Sequence, residues 1–200
     1  MINSAMAAYA TIVVEDSGPV ARVTLNLPDK RNPISPAMCG ELLDAFKTVQ
    51  ANVIILTGAG KVFSAGGDLA GMQAQGGAPP ATLVELFTTM HDLGKPIIAM
   101  VNGHALAGGL GLMVACGLVN RAVPADKLEA ATMELANEIA GRSPAAIRLG
   151  LRAFYRSQDM EHEPQLRYLQ GELGRVLALE DAKEGIAAFL QKRAPVWKGK

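Results

Sequence analysis

Two glycine-rich segments hold the residue types best suited to chemistry: Ser64-Ala65-Gly66-Gly67-Asp68 and Asn102-Gly103-His104-Ala105-Leu106-Ala107-Gly108-Gly109. Glycine lets a ligand approach the main chain and leaves bare N–H groups pointing at it. One N–H from each segment, converging on a single carbonyl oxygen, would make an oxyanion hole, which stabilises an enolate or a tetrahedral intermediate. Gly108-Gly109 also opens a helix, whose positive dipole end favours developing negative charge. Glycine-rich turns after strands are also common structural punctuation, so both readings stand on spacing alone. Neither segment has the three spaced glycines of a dinucleotide site or the lysine of a phosphate-binding loop, which makes a nucleotide-binding module the weaker alternative.

Side chains able to move protons are few. Asp68 is nearest the glycines, though an Asp beside a tight turn commonly bonds nearby backbone. His104 is an acid/base by residue type, but a lone His on a turn is more often structural. Glu85 and Asp92 fall on the helix after the first segment, where a solvated face is the simpler reading. Ser64 has no paired His and Asp in its motif, so nucleophilic hydrolysis is unsupported.

The elements that must position these loops follow from local pattern. Tyr9 to Val14 and Val20 to Leu25, split by Asp16-Ser17-Gly18-Pro19, read as a β-hairpin. A turn-rich loop follows over residues 26–33. Ser35-Pro36 and Ser143-Pro144 are helix starts, each a capping serine before a first-turn proline. Residues 52–57 and 96–101 are buried strands, 81–92 a helix, and 105–116 a small-residue helix that must pack tightly. From Ala125 only helices are expected, over 125–140, 143–157, 161–178 and 180–191. Strands alternating with helices imply βαβ units and a parallel sheet. Ligands in such sheets bind beyond the carboxyl ends of strands, where both glycine segments lie.

Composition narrows the partners. The 200 residues suffice for one domain with a real core. Half are hydrophobic and 19% charged, a globular balance. Nineteen basic residues offset nineteen acidic ones and aromatics make up 4%, so there is no footprint for nucleic acid. No run is long and apolar enough for a bilayer. The start of the chain does not read as a signal peptide, and Cys39 and Cys116 read as reduced core thiols. A cytoplasmic protein is the expectation.

Val62-Phe63-Ser64-Ala65-Gly66-Gly67-Asp68-Leu69 resembles the crotonase (enoyl-CoA hydratase/isomerase) motif in which a backbone N–H binds a thioester oxygen. Pro96 to Gly109 resembles the second motif, which supplies the other N–H. Asn26 to Ile34 is similar to the family's early loop, Gly117 to Pro124 to the lead into its C-terminal helices, and Glu180 to Pro195 to its ending. The resemblance implies an acyl-CoA thioester substrate and no metal or redox cofactor, coenzyme A being carried as part of the substrate. The fold would be α/β: a crotonase-like ββα spiral core over residues 1–124, with a C-terminal helical oligomerisation segment over 125–200 that builds trimers or pairs of trimers. By motif position the oxyanion donors would be Gly67 and Gly108. Ser64, Ala65, Asp68 and Leu69 would line the substrate site. Lys30 or Arg31 would meet CoA phosphate, and Phe189 and Lys192 would touch CoA from a neighbouring subunit.

Two departures qualify this. Family hydratases use two glutamates, the first three residues after the second oxyanion glycine, and here that position is Gly111. After Cys116 the family's next strand, its second glutamate and further elements are absent, a block of roughly 30 residues or more. Gly117 then serves as helix C-cap, with Leu118 to Val123 expected in the place of the missing strand. A smaller trim is expected at Gln50 to Val53. Three functions are compatible with these features: an enoyl-CoA hydratase/isomerase-class enzyme, a non-catalytic acyl-CoA binder, or an inactive relic of the fold.

Overall fold

The computed structural model describes residues 9–16, 18–68, 81–117 and 120–200. Strands β1 (Ile12–Asp16) and β2 (Val20–Leu25) form the hairpin, paired antiparallel from Ile12 opposite Leu25. In β2 every second residue, Ala21, Val23 and Leu25, is buried, as expected of a strand with one face inward. After a short 3-10 turn and the two-residue β3 (Pro33–Ile34), helix α1 (Pro36–Thr48) begins. The Ser35 hydroxyl accepts from the Met38 N–H and satisfies one of the orphan donors of the first turn. Met38, Leu42, Leu43 and Phe46 form its buried stripe.

Strand β4 (Val53–Gly58) is buried on both faces and runs parallel to β2. The connection from α1 is only residues 49–52, and the Asp16 carboxylate holds it by accepting from the Gln50 and Ala51 N–H groups. The chain continues through β5 (Val62–Ser64), β6 (Gly66–Gly67), α2 (Ala81–Asp92), β7 (Ile97–Met100), β8 (His104–Ala105) and α3 (Gly108–Ala115). The main sheet has the order β1-β2-β4-β7, with β7 parallel to β4 at its edge. Two small parallel pairs, β3 with β6 and β5 with β8, fasten the loops beyond the carboxyl end of the sheet.

The C-terminal part is helical: α4 (Leu128–Ala140), α5 (Pro144–Ser157), α6 (His162–Ala178) and α7 (Glu180–Leu190). Ser143 caps α5 by accepting from the Ala146 N–H. Helix α4 lies on the sheet, burying Ala136 against Val53, Ile55 and Met100, while α1, α2 and α3 cover the opposite face.

One expectation fails. Residues 120–124 form no strand pairing, and among the described residues β7 is the edge of the sheet; residues 118 and 119 lie outside the described set. Asn120, Arg121 and Ala122 are exposed, and Arg121 pairs with Glu134 of α4. Residues 120–123 border the space beside β7 without pairing to it, Asn120 and Arg121 being solvated where a strand would need apolar residues on both faces. Gly117 does act just past the helix end, with φ 112° and its N–H on the Val114 carbonyl.

Candidate functional site

The two glycine segments, about 40 positions apart in the chain, meet in space. Gly66 has φ 99°, and a Cβ there would lie 2.7 Å from the Leu106 carbonyl oxygen and 3.2 Å from the Gly108 nitrogen. Only glycine allows that approach. The next residue is in van der Waals contact: the Cβ position of Gly108 is 3.4 Å from the Gly67 nitrogen. The Asp68 N–H donates to the Ile34 carbonyl. Alternation along β6 therefore turns the Gly67 N–H to the other side, towards α3. Gly108 is the first residue of α3, so its own N–H is among the donors a helix leaves unpaired. Ala107 before it is held at φ 44°, a conformation disfavoured for any residue with a Cβ, and this bend aims the helix start at β6.

Ser64 is not a reactive group here. It is fully buried, donating to the Asn32 carbonyl at 2.7 Å and accepting from the Gly66 N–H at 3.2 Å. Ala65 donates its N–H to the Arg31 carbonyl. Both residues hold the loop's shape. Asp68 is half-buried beside Gly67, and Leu69 lies outside the described residues. Lys30 and Arg31 are exposed on the loop before β3, which pairs with β6 and so places them on the flank of the glycine site. Phe189 and Lys192 stand exposed at the end of α7, which packs on α5 and α6 rather than on the glycine loops. His104 is exposed in β8, Asp92 is exposed at the end of α2, and Glu85 pairs with Lys47 at 3.4 Å.

Two asparagines that the sequence reading passed over hold the site together. Asn32, fully buried at φ 53°, points its amide nitrogen at the carbonyls of Ala59, Val62 and Phe63, while its oxygen accepts from the Leu27 N–H. Asn102 bonds both backbone groups of Gly58 and the carbonyl of Gly60. They tie the early loop, the end of β4 and the second glycine segment into one unit.

The enoyl-CoA hydratase/isomerase family model matches residues 15–117 and 114–200. The chain belongs to the enoyl-CoA hydratase/isomerase family. The two matched stretches meet at the Cys116–Gly117 join, where the crotonase pattern breaks off and resumes. A putative enoyl-CoA hydratase of Thermus thermophilus is 31% identical over 251 aligned columns, covering 92% of this chain and 99% of that protein. Since 92% of 200 is 184 residues, at least 67 of the 251 columns face no residue of this chain. Carnitinyl-CoA dehydratase of Salmonella typhi is also 31% identical, with 92% and 97% covered. The crystal structure of human enoyl-CoA hydratase domain-containing protein 3 superposes with a TM-score of 0.86 at 24% identity, covering 94% of this chain and all of that one, and supports the crotonase fold.

The internal gap has a physical trace. Among the described residues, a cavity of about 580 Å³ lies beside β7, away from the glycine loops. It is lined by the end of α3 (Met113, Cys116), by α4 (Leu128, Leu135), by Leu151 and Tyr155 of α5, and by residues 120–123. A strand of four residues, at a rise of about 3.3 Å, about 4.8 Å from its neighbour and within layers about 10 Å apart, occupies roughly 630 Å³. The void beside β7 thus has the size of one strand slot. Burial pushes the Cys116 thiol up to about 12, so it lines this space as a protonated, unreactive group.

Proposed function

We propose that this chain binds an acyl-CoA thioester, with the thioester oxygen between the Gly67 and Gly108 N–H groups, and so stabilises the enolate form of the acyl group. The observation that carries this reading is the 3.4 Å approach of the Gly67 nitrogen to the Cβ position of Gly108 at the start of a helix. Two aligned donors and a dipole end address one point, and only glycine leaves that point open. Coenzyme A would run along the early loop, with Lys30 and Arg31 near its phosphates and Ser64, Ala65 and Asp68 shaping the wall. Phe189 and Lys192 would serve a neighbouring subunit of a trimer or a pair of trimers.

A second reading, acyl-CoA binding without turnover, is favoured by Gly111. That position faces Phe87 of α2 at 3.5 Å from its Cβ site and carries no proton acceptor. Together with the block absent at Cys116–Gly117, it removes both positions from which the family's glutamates act. Calorimetric titration with crotonyl-CoA, with free CoA as control, tests the shared core of the two readings. Thioester binding clearly tighter than free CoA is expected; equal affinities, or none, would sink it. Loss of the enoyl absorbance at catalytic enzyme concentrations would then choose the enzyme over the binder.

A further inference from the structure

The strand slot beside β7 has polarity as well as size. Pro96 accepts from the Ile54 N–H, and β7 pairs in register with β4 from Ile97 opposite Ile54. Backbone groups alternate sides along a strand, so those of Ile97 and Ala99 face away from β4 and into the cavity. At the Gly94 end stand three cations. Lys95 lines the cavity. Arg148 and Arg152 of α5 reach over Gly94, whose Cβ position lies 2.6 Å from Arg148 Cγ and 3.3 Å from Arg152 Nε. A small pocket lined by Gly94, Lys95 and Arg148 adjoins the large one there. Among the described residues, neither Arg148 nor Arg152 pairs with an acidic side chain, whereas Arg142 on the same rim pairs with Glu138. The Lys95 ammonium donates to the Val49 carbonyl, a neutral partner.

We propose that this slot binds the C-terminal end of an extended apolar peptide, running antiparallel to β7 with its carboxylate at Lys95, Arg148 and Arg152. The occupant is set by three complementarities. The cavity's volume is that of about four residues of strand. Met113, Leu128, Leu135, Ile139 and Leu151 make most of its wall apolar, with His91, Asn120, Arg121 and Thr132 also lining it, which suits side chains of Val, Ile or Ala type. Arg148 and Arg152, which pair with no acidic side chain among the described residues, stand where an antiparallel strand ends, and a carboxylate there gains charge-assisted bonds. Burial holds the Lys95 ammonium below its ordinary range, with Arg148 adding to this against the pull of Asp16, so an arriving anion relieves a standing cost. A fatty-acid chain would match the walls and the charge but would strip water from the Ile97 and Ala99 backbone groups without replacing its hydrogen bonds; a peptide replaces them.

Fluorescence anisotropy of a fluorescein-labelled peptide ending Val-Ala-Val-Ile decides the matter, with the free acid compared against the C-terminal amide. The acid is expected to bind at least tenfold more tightly. The surface double variant Arg148→Ala/Arg152→Ala should erase that difference while leaving circular dichroism and melting unchanged. Ala131→Trp, which fills the slot from α4, should abolish binding of both forms; if it fails to fold, the arginine pair still carries the test. Three results would overturn the proposal: no binding by folded protein, equal binding of acid and amide, or displacement of the peptide by equimolar decanoate. None of them bears on thioester binding, which uses different residues.

Discussion

At the scale of single residues, two positions separate the site from the scaffold. Gly108 has an ordinary backbone conformation, and a methyl group there would meet the Gly67 nitrogen at 3.4 Å, an ordinary contact. Gly108→Ala is therefore expected to cost little stability, within about 1 kcal/mol for a first-turn glycine. The methyl would nonetheless sit between the two donors, so crotonyl-CoA affinity should fall at least tenfold while free CoA affinity stays unchanged. Calorimetry on a variant with an unaltered melting temperature reads both. Loss of affinity for both ligands alike would show that the methyl disturbs the loops instead. Asn32 makes the opposite case. Asn32→Ala strips partners from three carbonyls and one N–H and leaves a Cβ residue at φ 53°. The expected loss is about 3 kcal/mol, from buried groups left unpaired plus the left-handed backbone. Asn32→Gly should recover roughly 1 kcal/mol of that by removing the backbone part alone. Urea midpoints of the two variants check the split.

At the scale of elements, the chain end is fastened by carboxylates, and this fastening depends on pH. Asp181 at the start of α7 is buried, which alone would raise its pKa. The Ser143 hydroxyl and the N–H groups of Lys198 and Gly199 outweigh burial and hold it below the usual range. Glu184 is held at about 2, first by the Arg193 guanidinium and then by the Val196 N–H. Both folded values are depressed, so their stabilisation is complete above the unfolded carboxylate values near pH 4 and is lost as pH falls towards about 2. Trp197, the single tryptophan, bonds the Gly141 carbonyl and packs on Gly185, so it reports this docking. A red shift of its emission below pH 4, moved to higher pH in Asp181→Asn, is expected; emission unchanged to pH 2 would count against it.

The same elements show what was legible in the sequence. Helices opening at Ser35-Pro36 and Ser143-Pro144 start where cap and proline place them, because those signals are local. The strands at 53–58 and 97–100 were readable from β-branched runs. The two- and three-residue pairings that fasten the glycine loops were not, since so short a stretch carries no period. Asn32 escaped notice because its role rests on a left-handed φ and on partners 27 to 31 positions away. The substitute strand expected at 118–123 is not formed over 120–123, where Asn120 and Arg121 are exposed, while residues 118 and 119 lie outside the described residues. Gly67 and Gly108 are candidates because a motif, not a period, marks them.

At the scale of the whole molecule, the C-terminal helices present more apolar surface than a monomer needs. Helix α6 has no buried residue, and Leu166, Leu173 and Leu177 lie exposed at spacings of seven and four, on one face. Phe154 of α5 and Ile186, Phe189 and Leu190 of α7 are also exposed, Phe189 by 82% and Leu190 by 74%. Exposed apolar residues concentrated on neighbouring helices point to an interaction surface. With nineteen positive and nineteen negative groups, no net charge opposes the approach of a second copy. Closed symmetric assembly through α6 is the simplest way to cover this surface, and it would also bring Phe189 and Lys192 of one copy towards another. Sedimentation velocity at micromolar concentration should therefore give a mass of two or more copies of the 21.0 kDa chain. Leu173→Glu with Leu177→Glu should return it to one copy without loss of helicity, because neither side chain supports the monomer's core. A wild-type chain sedimenting at 21.0 kDa would show that covering this face requires a different partner.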